Sequence, residues 1–189
     1  MRRIMLVDDE TSILKALQRV VLRAMTDVKV ETFDDPKAAL ARMSEMGFDL
    51  VVSDYRMPVM DGISFLSEVK QVQPDTVRLV LSAQADMRAL VEAINRAEIF
   101  RFLAKPWDDD ELIATLQAAL VRRDAVLQER RLADEQRVAR GEMTPAEMAL
   151  RRLEEEEPGI SRVDWTPEGG ISVEEWPVDQ VVTSSPKRG

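Results

Sequence analysis

Four short stretches, far apart in the chain, carry groups that could act together. They are Asp8-Asp9 after IMLV, Asp54 in SDYRMPVMDG, Ser82 closing VRLVLS, and Lys105-Pro106 in FRFLAKPW. Each follows an apolar run of the kind that forms a strand buried on both faces. In an open parallel α/β sheet the carboxyl ends of the strands share one edge, and the ligand crevice lies just outside it. Three carboxylates, a hydroxyl and an ammonium collected there would bind a divalent cation and receive or hold a phosphoryl group. A carboxylate attacks a phosphoryl group poorly because both are anionic, so a cation is needed between them. Asp9 and Asp54, with Asp8 through water, suit Mg²⁺, which takes one or two carboxylates and keeps several waters. Lys105 would pair with Asp54 before transfer and with a phosphoryl oxygen afterwards. The Ser82 hydroxyl, helped by the Ala83 amide, would donate to another oxygen.

The elements that must position these residues alternate regularly through the first 120 positions. Residues 4–7, 28–33, 50–53, 77–81 and 100–104 read as strands. Thr11 or Ser12 is placed to cap a helix whose apolar residues Ile13, Leu14, Leu17, Val20, Val21 and Ala24 recur at helical spacing. Asp35-Pro36 supplies an N-cap followed by proline at the first helical position, opening a helix to about residue 46. Further helices are expected over 63–72, over 86–97 and from Asp108. Asp61-Gly62 reads as turn chemistry with a glycine at positive φ. The run Asp108-Asp109-Asp110-Glu111 reads as an N-cap and first turn, where negative charge opposes the helix dipole. Alternating βα units imply a parallel sheet with right-handed crossovers and helices on both faces.

These residues resemble the response regulator receiver domains of two-component signalling. The resemblance rests on Asp8-Asp9, on Asp54-x-x-Met57-Pro58-x-x-Asp61-Gly62, on Ser82-Ala83 and on Lys105-Pro106, in order, and covers roughly residues 1–122. It implies a flavodoxin-like, CheY-like fold of five parallel strands, with Asp54 accepting a phosphoryl group from a histidine kinase or phosphotransfer protein. It also implies that the backbone carbonyl of Arg56 is a further Mg²⁺ ligand and that the Lys105–Pro106 peptide is cis. Ser82 and Phe102 stand where the family has its switch pair. Ser82 moving toward the phosphoryl group would vacate space into which Phe102 rotates, altering the face made by the 86–97 helix, the last strand and the helix after it.

Composition narrows the alternatives. The net charge is -9, from 26 basic and 35 acidic residues, and neither residues 1–120 nor the remainder is net positive. That argues against a direct DNA-binding surface. The absence of cysteine and histidine removes thiol nucleophiles, Ser-His-Asp hydrolysis, histidine-ligated metal enzymes and a phosphohistidine carrier. No apolar run approaches the roughly 18 residues of a membrane span, and the N-terminus is too short in apolar residues for a signal segment. A cytoplasmic protein is expected, a phosphoacceptor in place of an enzyme with its own substrate. Two other readings stand beside it. One is a phosphate sink that drains a shared kinase; the other is a haloacid-dehalogenase-type phosphohydrolase, which usually wants a second carboxylate where this chain has Arg56.

Beyond the receiver, the sequence divides into a helical extension over 123–143, a small appendage over 144–176 and a disordered tail over 177–189. The last receiver helix should run on to about Arg140, with Gly141 as its first breaker. Ile113, Leu116, Leu120 and Leu127 follow a heptad, but Arg123 and Arg130 fall on the seam. The extension therefore reads either as a solvated helix or as the surface of a homodimer. Thr144-Pro145-Ala146-Glu147 forms a capping box, with Met143 and Met148 spaced as a hydrophobic staple, so a short helix is expected over 145–156. Residues 161–165 and 171–175 read as a β-hairpin bearing Trp165, with Trp176 just beyond it. The output of such a protein would be contact with a downstream protein partner.

Overall fold

The computed structural model describes residues 1–83 and 97–156 of the chain. Five strands, β1 (Arg2–Val7), β2 (Val28–Phe33), β3 (Leu50–Asp54), β4 (Val77–Ala83) and β5 (Arg101–Lys105), form one sheet in the order β2-β1-β3-β4-β5. Every neighbouring pair is parallel. The described helices are α1 (Thr11–Ala24), α2 (Pro36–Glu45), α3 (Gly62–Val72), α4 (Asp109–Ala139) and α5 (Pro145–Glu156). The expected helix over 86–97 lies outside the described residues except for Ala97, and so do the hairpin, the tail and the tryptophans at 165 and 176.

The continuous apolar runs follow from burial on both faces. Side chains alternate across a strand. Ile4, Leu6, Leu50, Val52, Leu79, Leu81 and Leu103 therefore pack on one side with Leu14, Leu17 and Val21 of α1 and Leu112, Leu116 and Leu120 of α4. Met5, Val7, Val51 and Val80 face the opposite side. There they meet Ala39 and Met43 of α2 and Ile63, Phe65, Leu66 and Val69 of α3.

Most helix signals hold. Asp35 accepts from Lys37 N–H at 2.9 Å with Pro36 following, and Asp108 accepts from Glu111 N–H at 2.9 Å. Thr144 and Glu147 form the reciprocal capping box: Thr144 N–H donates to Glu147 Oε2 at 2.7 Å, and Glu147 N–H donates to Thr144 Oγ1 at 3.2 Å. α4 runs unbroken past residue 122 and stops at Gly141, whose φ of 73° permits a Schellman turn closed by Gly141 N–H to Val138 O and Glu142 N–H to Arg137 O.

Two expectations are corrected. α1 is not capped by Thr11 or Ser12. Its N-cap is Glu10, whose carbonyl accepts from Ile13 and Leu14 N–H, and no side chain caps the helix. Gly62 is not at positive φ; in that loop positive φ falls on Val59 instead. The extension is exposed at most of its positions, and its heptad is broken on the side that faces the receiver. Its seam arginines are turned onto the receiver, Arg123 Nη1 lying 2.6 Å from Asp49 Oδ1 and Arg130 pairing with Asp75. Leu127, two turns past Leu120, is buried beside them.

Candidate functional site

Strand register brings the four stretches to one edge. Val7 lies opposite Ser53, Asp54 opposite Leu81, Ser82 opposite Ala104 and Ala83 opposite Lys105. Asp8 follows β1, Asp54 ends β3 and Lys105 ends β5, so their side chains meet. Lys105 Nζ lies 2.6 Å from Asp8 Oδ2 and 2.5 Å from Asp54 Oδ1. The remaining oxygens are held by backbone: Asp8 Oδ1 accepts from Glu10 N–H at 2.9 Å, and Asp54 Oδ2 from Arg56 N–H at 2.6 Å. Asp8 is fully buried and Asp54 only 6% exposed.

Two carboxylates thus share one ammonium. Burial pushes the Asp8 carboxyl above its ordinary range, and the nearby Asp54 adds to the rise against the opposing pull of Lys105 and the Glu10 amide. Burial also works against the charge on Lys105, but its hydrogen bonds to Asp54 and Asp8 outweigh this and raise its pKa. The ammonium is therefore kept charged and fixed between the two acids.

Asp9 is exposed and stands at the rim, lining a cavity of about 460 Å³ with Tyr55, Arg56, Met57, Pro58 and Asp61. Among the described residues, no three acidic side chains come close enough to hold a metal ion by themselves. The reason is visible: Lys105 lies between Asp8 and Asp54, and Asp9 remains outside that bridge. The donor set still fits Mg²⁺, which needs only one or two carboxylates and fills its other positions with water. Ser82 is buried, and its hydroxyl donates to Ala83 O at 3.2 Å. Phe102 is half-buried against the core on the α2–α3 side. The Lys105–Pro106 peptide is cis.

The loop after Asp54 has features that the sequence reading missed. Asp61 is more than a turn residue. It caps α3, accepting from Ile63 N–H at 3.0 Å and Ser64 N–H at 2.9 Å, while the Ser64 hydroxyl donates to it at 2.8 Å. Gly62 is required for closeness, since a Cβ there would lie 2.0 Å from the Asp54 carbonyl oxygen. That carbonyl also accepts from Ser53 Oγ at 2.9 Å. The strained residue is Val59, a β-branched side chain at φ 71° and 85% exposed, in a γ-turn closed by Met60 N–H to Pro58 O at 2.8 Å. The Asp-Gly pair itself was the available signal; its partner across the loop was not.

A parallel five-stranded sheet with a lysine bridging two aspartates at its carboxyl edge defines a class, and comparison with known proteins identifies it. The family model of the response regulator receiver domain matches residues 4–117, and the chain belongs to that family. The chain is 33% identical over 117 residues to the hydrogenase transcriptional regulatory protein HoxA of Cupriavidus necator, an alignment covering 62% of this chain and 24% of HoxA. Among solved structures it is similar to the signal receiver domain of an HD domain-containing protein from Pseudomonas fluorescens Pf-5. That match has 34% identity and a TM-score of 0.63, and covers 67% of this chain and 92% of that one. A structure described as adenylate cyclase from Rhodopirellula baltica matches with 31% identity and a TM-score of 0.65, over 70% of this chain and 97% of that one. The chain spans about a quarter of the length of the curated relatives it matches. No described helix is long and apolar enough to cross a membrane.

Proposed function

We propose that the chain is a two-component response regulator in which Asp54 accepts a phosphoryl group from the phosphohistidine of a kinase or phosphotransfer protein. The observation that carries this reading is the Lys105 ammonium bridging Asp8 and Asp54 at 2.6 and 2.5 Å. An Asp54 carboxylate oxygen attacks phosphorus, the phosphorus–nitrogen bond to the donor imidazole breaks, and the imidazole departs with that electron pair and takes up a proton. The product is an acyl phosphate on Asp54. Lys105 supplies fixed positive charge where the phosphoryl oxygens gather, at no reorganisation cost during the reaction. Asp8, Asp9 and Asp54, with the Arg56 carbonyl, would hold Mg²⁺. The ion, when bound, neutralises charge between the two anions. Ser82 would turn its hydroxyl from the Ala83 carbonyl to a phosphoryl oxygen, and Phe102 would follow into the space it leaves.

The output would be a changed protein–protein contact, since neither part of the acidic chain offers the positive field of a DNA-binding surface. Incubation with acetyl phosphate and Mg²⁺ tests the assignment. The wild type is expected to gain one phosphoryl group, read by intact mass, and Asp54→Asn none. Lys105→Ala is expected to lose labelling by about a hundredfold or more, the scale of removing one preorganised charge. Persistent label on Asp54→Asn would remove the proposal.

A further inference from the structure

The heptad that carries Leu116, Leu120 and Leu127 is taken up by the receiver, against which all three are buried. On its outer face α4 carries a second one. Ala114, Ala118, Val121, Ala125, Leu132 and Ala139 follow alternating steps of four and three residues, with Gln128 and Glu135 at the two remaining positions. All eight are exposed, Val121 by 68% and Leu132 by 53%. At about 1.5 Å per residue the stripe runs about 37 Å along the helix.

The charges beside the stripe select what can lie on it. In a two-helix coil the flanking positions pair across the interface and set partner and orientation. Arg122 and Glu129 stand on one flank, Asp124 and Arg131 on the other. Laid antiparallel on a second copy, with the two-fold axis between residues 126 and 127, Val121 of one helix meets Leu132 of the other and Ala125 meets Gln128. The same register sets Arg122 against Glu129 and Asp124 against Arg131, and symmetry repeats each pair. A parallel pairing instead sets Asp124 against Glu129, also twice, and brings no opposite charges together at these positions. Arg122, Glu129 and Arg131 are exposed and join no ion pair among the described residues, while Asp124, held by Arg2 at 2.6 Å, stays 47% exposed. The alanines let the helices approach to the short end of the usual distance of about 8–10 Å. Glu135, tied to Arg152 at 3.2 Å, falls opposite Ala118, a small residue that leaves it room.

We propose that the outer face of α4 is a homodimer interface, formed by antiparallel pairing of two copies along residues 114–139. The Arg122–Glu129 and Asp124–Arg131 pairs fix its register, and Val121 and Leu132 supply its largest apolar contacts. Because the stripe runs from the receiver into the extension, the dimer lays the extension of each copy along the receiver end of the other's α4. It is independent of Asp54 and of phosphotransfer.

Sedimentation equilibrium of the full-length, unphosphorylated chain is expected to show a dimer that dissociates on dilution. Glu129→Arg is expected to weaken self-association by about tenfold, because two attractive pairs become repulsive, and adding Arg122→Glu should restore it. In a parallel dimer Glu129→Arg would face Asp124 and strengthen association. The chain has no cysteine, so introduced thiols report this contact alone. Val121→Cys and Leu132→Cys chains are expected to form a disulfide when mixed and oxidised, and neither by itself. Like residues would stand about 16 Å apart in the antiparallel dimer, beyond the roughly 7 Å that a disulfide spans. The proposal is overturned if Glu129→Arg leaves association unchanged or strengthens it, or if either single variant cross-links to itself. A chain that stays monomeric up to about 0.3 mM would overturn it in favour of a different protein on the same face.

Discussion

The acceptor role proposed for Asp54 needs a carboxylate held still against a fixed cation, and both conditions depend on neighbours that touch it. Lys105 supplies the cation, its ammonium lying between Asp54 and Asp8. The carboxylate's stillness rests on backbone: Arg56 N–H fixes one carboxylate oxygen, and the Asp54 carbonyl is enclosed by the Ser53 hydroxyl and the bare Cα of Gly62. Any side chain at 62 would strike that carbonyl, so the end of β3 or the start of α3 would have to move. Gly62→Ala is expected to destabilise the fold by about 1–3 kcal/mol, as overpacking does. It should also slow acetyl phosphate labelling by roughly tenfold or more, since misplacing a reacting group is costly. Gly141→Ala is the control. That glycine has positive φ but nothing near it, so the change should cost about 1 kcal/mol and leave labelling unchanged. Urea denaturation and labelling rates measured on both variants check the contrast.

At the scale of elements, α3 shows how one residue both starts a helix and shapes the site. Burial works against the charge on Asp61, but hydrogen bonds from Ser64 and Ile63 outweigh it and hold the carboxyl below its ordinary value. A folded pKa below the unfolded one means stability that is present above the unfolded value, near 3.8, and lost as pH falls through the folded one. Asp61→Ala is therefore expected to cost about 1 kcal/mol at neutral pH, the usual worth of an N-cap. The deficit should shrink as the pH drops below 4. Thermal midpoints of wild type and variant across that range decide it, and a deficit that stays constant would mean the cap does not act through its charge. The elements themselves were legible because each carries its own local record. Strands buried on both faces read as unbroken apolar runs, and Asp35, Asp108 and Thr144 sit where caps belong. Asp8, Asp54 and Lys105 were legible together because parallel strands put their carboxyl ends on one edge. What stayed hidden depended on partners distant in sequence. Gly62 looked like a turn glycine because its reason for being glycine is a carbonyl eight residues earlier. Arg123 and Arg130 looked like defects in a heptad because Asp49 and Asp75, which answer them, belong to loops far up the chain.

For the molecule as a whole, those two pairs mean that the receiver does not end where its family resemblance ends. Asp49, just before β3, accepts from Arg2 and from Arg3 N–H and forms an ion pair with Arg123, while Asp75, just before β4, takes Arg130. Arg2 in turn reaches Asp124 at 2.6 Å. The amino edge of the sheet is thus closed by charges on α4 beyond residue 122, with Leu127 buried among them. A chain of residues 1–122 keeps its strands and the α1, α2 and α3 packing, so it should still fold cooperatively. It loses one of the two arginines facing Asp49, the partner of Asp75 and the burial of Leu127, and the last alone is worth about 1.5–3 kcal/mol. The 1–122 chain is accordingly expected to be less stable than a 1–143 chain by about 1.5–5 kcal/mol, a sum of that burial and two part-exposed ion pairs of about 0–1 kcal/mol each. Added salt should narrow the gap only slightly, because screening weakens the Arg130–Asp75 pair more than the better-buried Arg123–Asp49 pair and leaves Leu127 untouched. Denaturation of the two chains in urea at low and high salt measures both effects. Equal stability would mean that α4 past residue 122 rests on the receiver without holding it. A gap abolished by salt would mean that charge alone, and not Leu127, keeps it there.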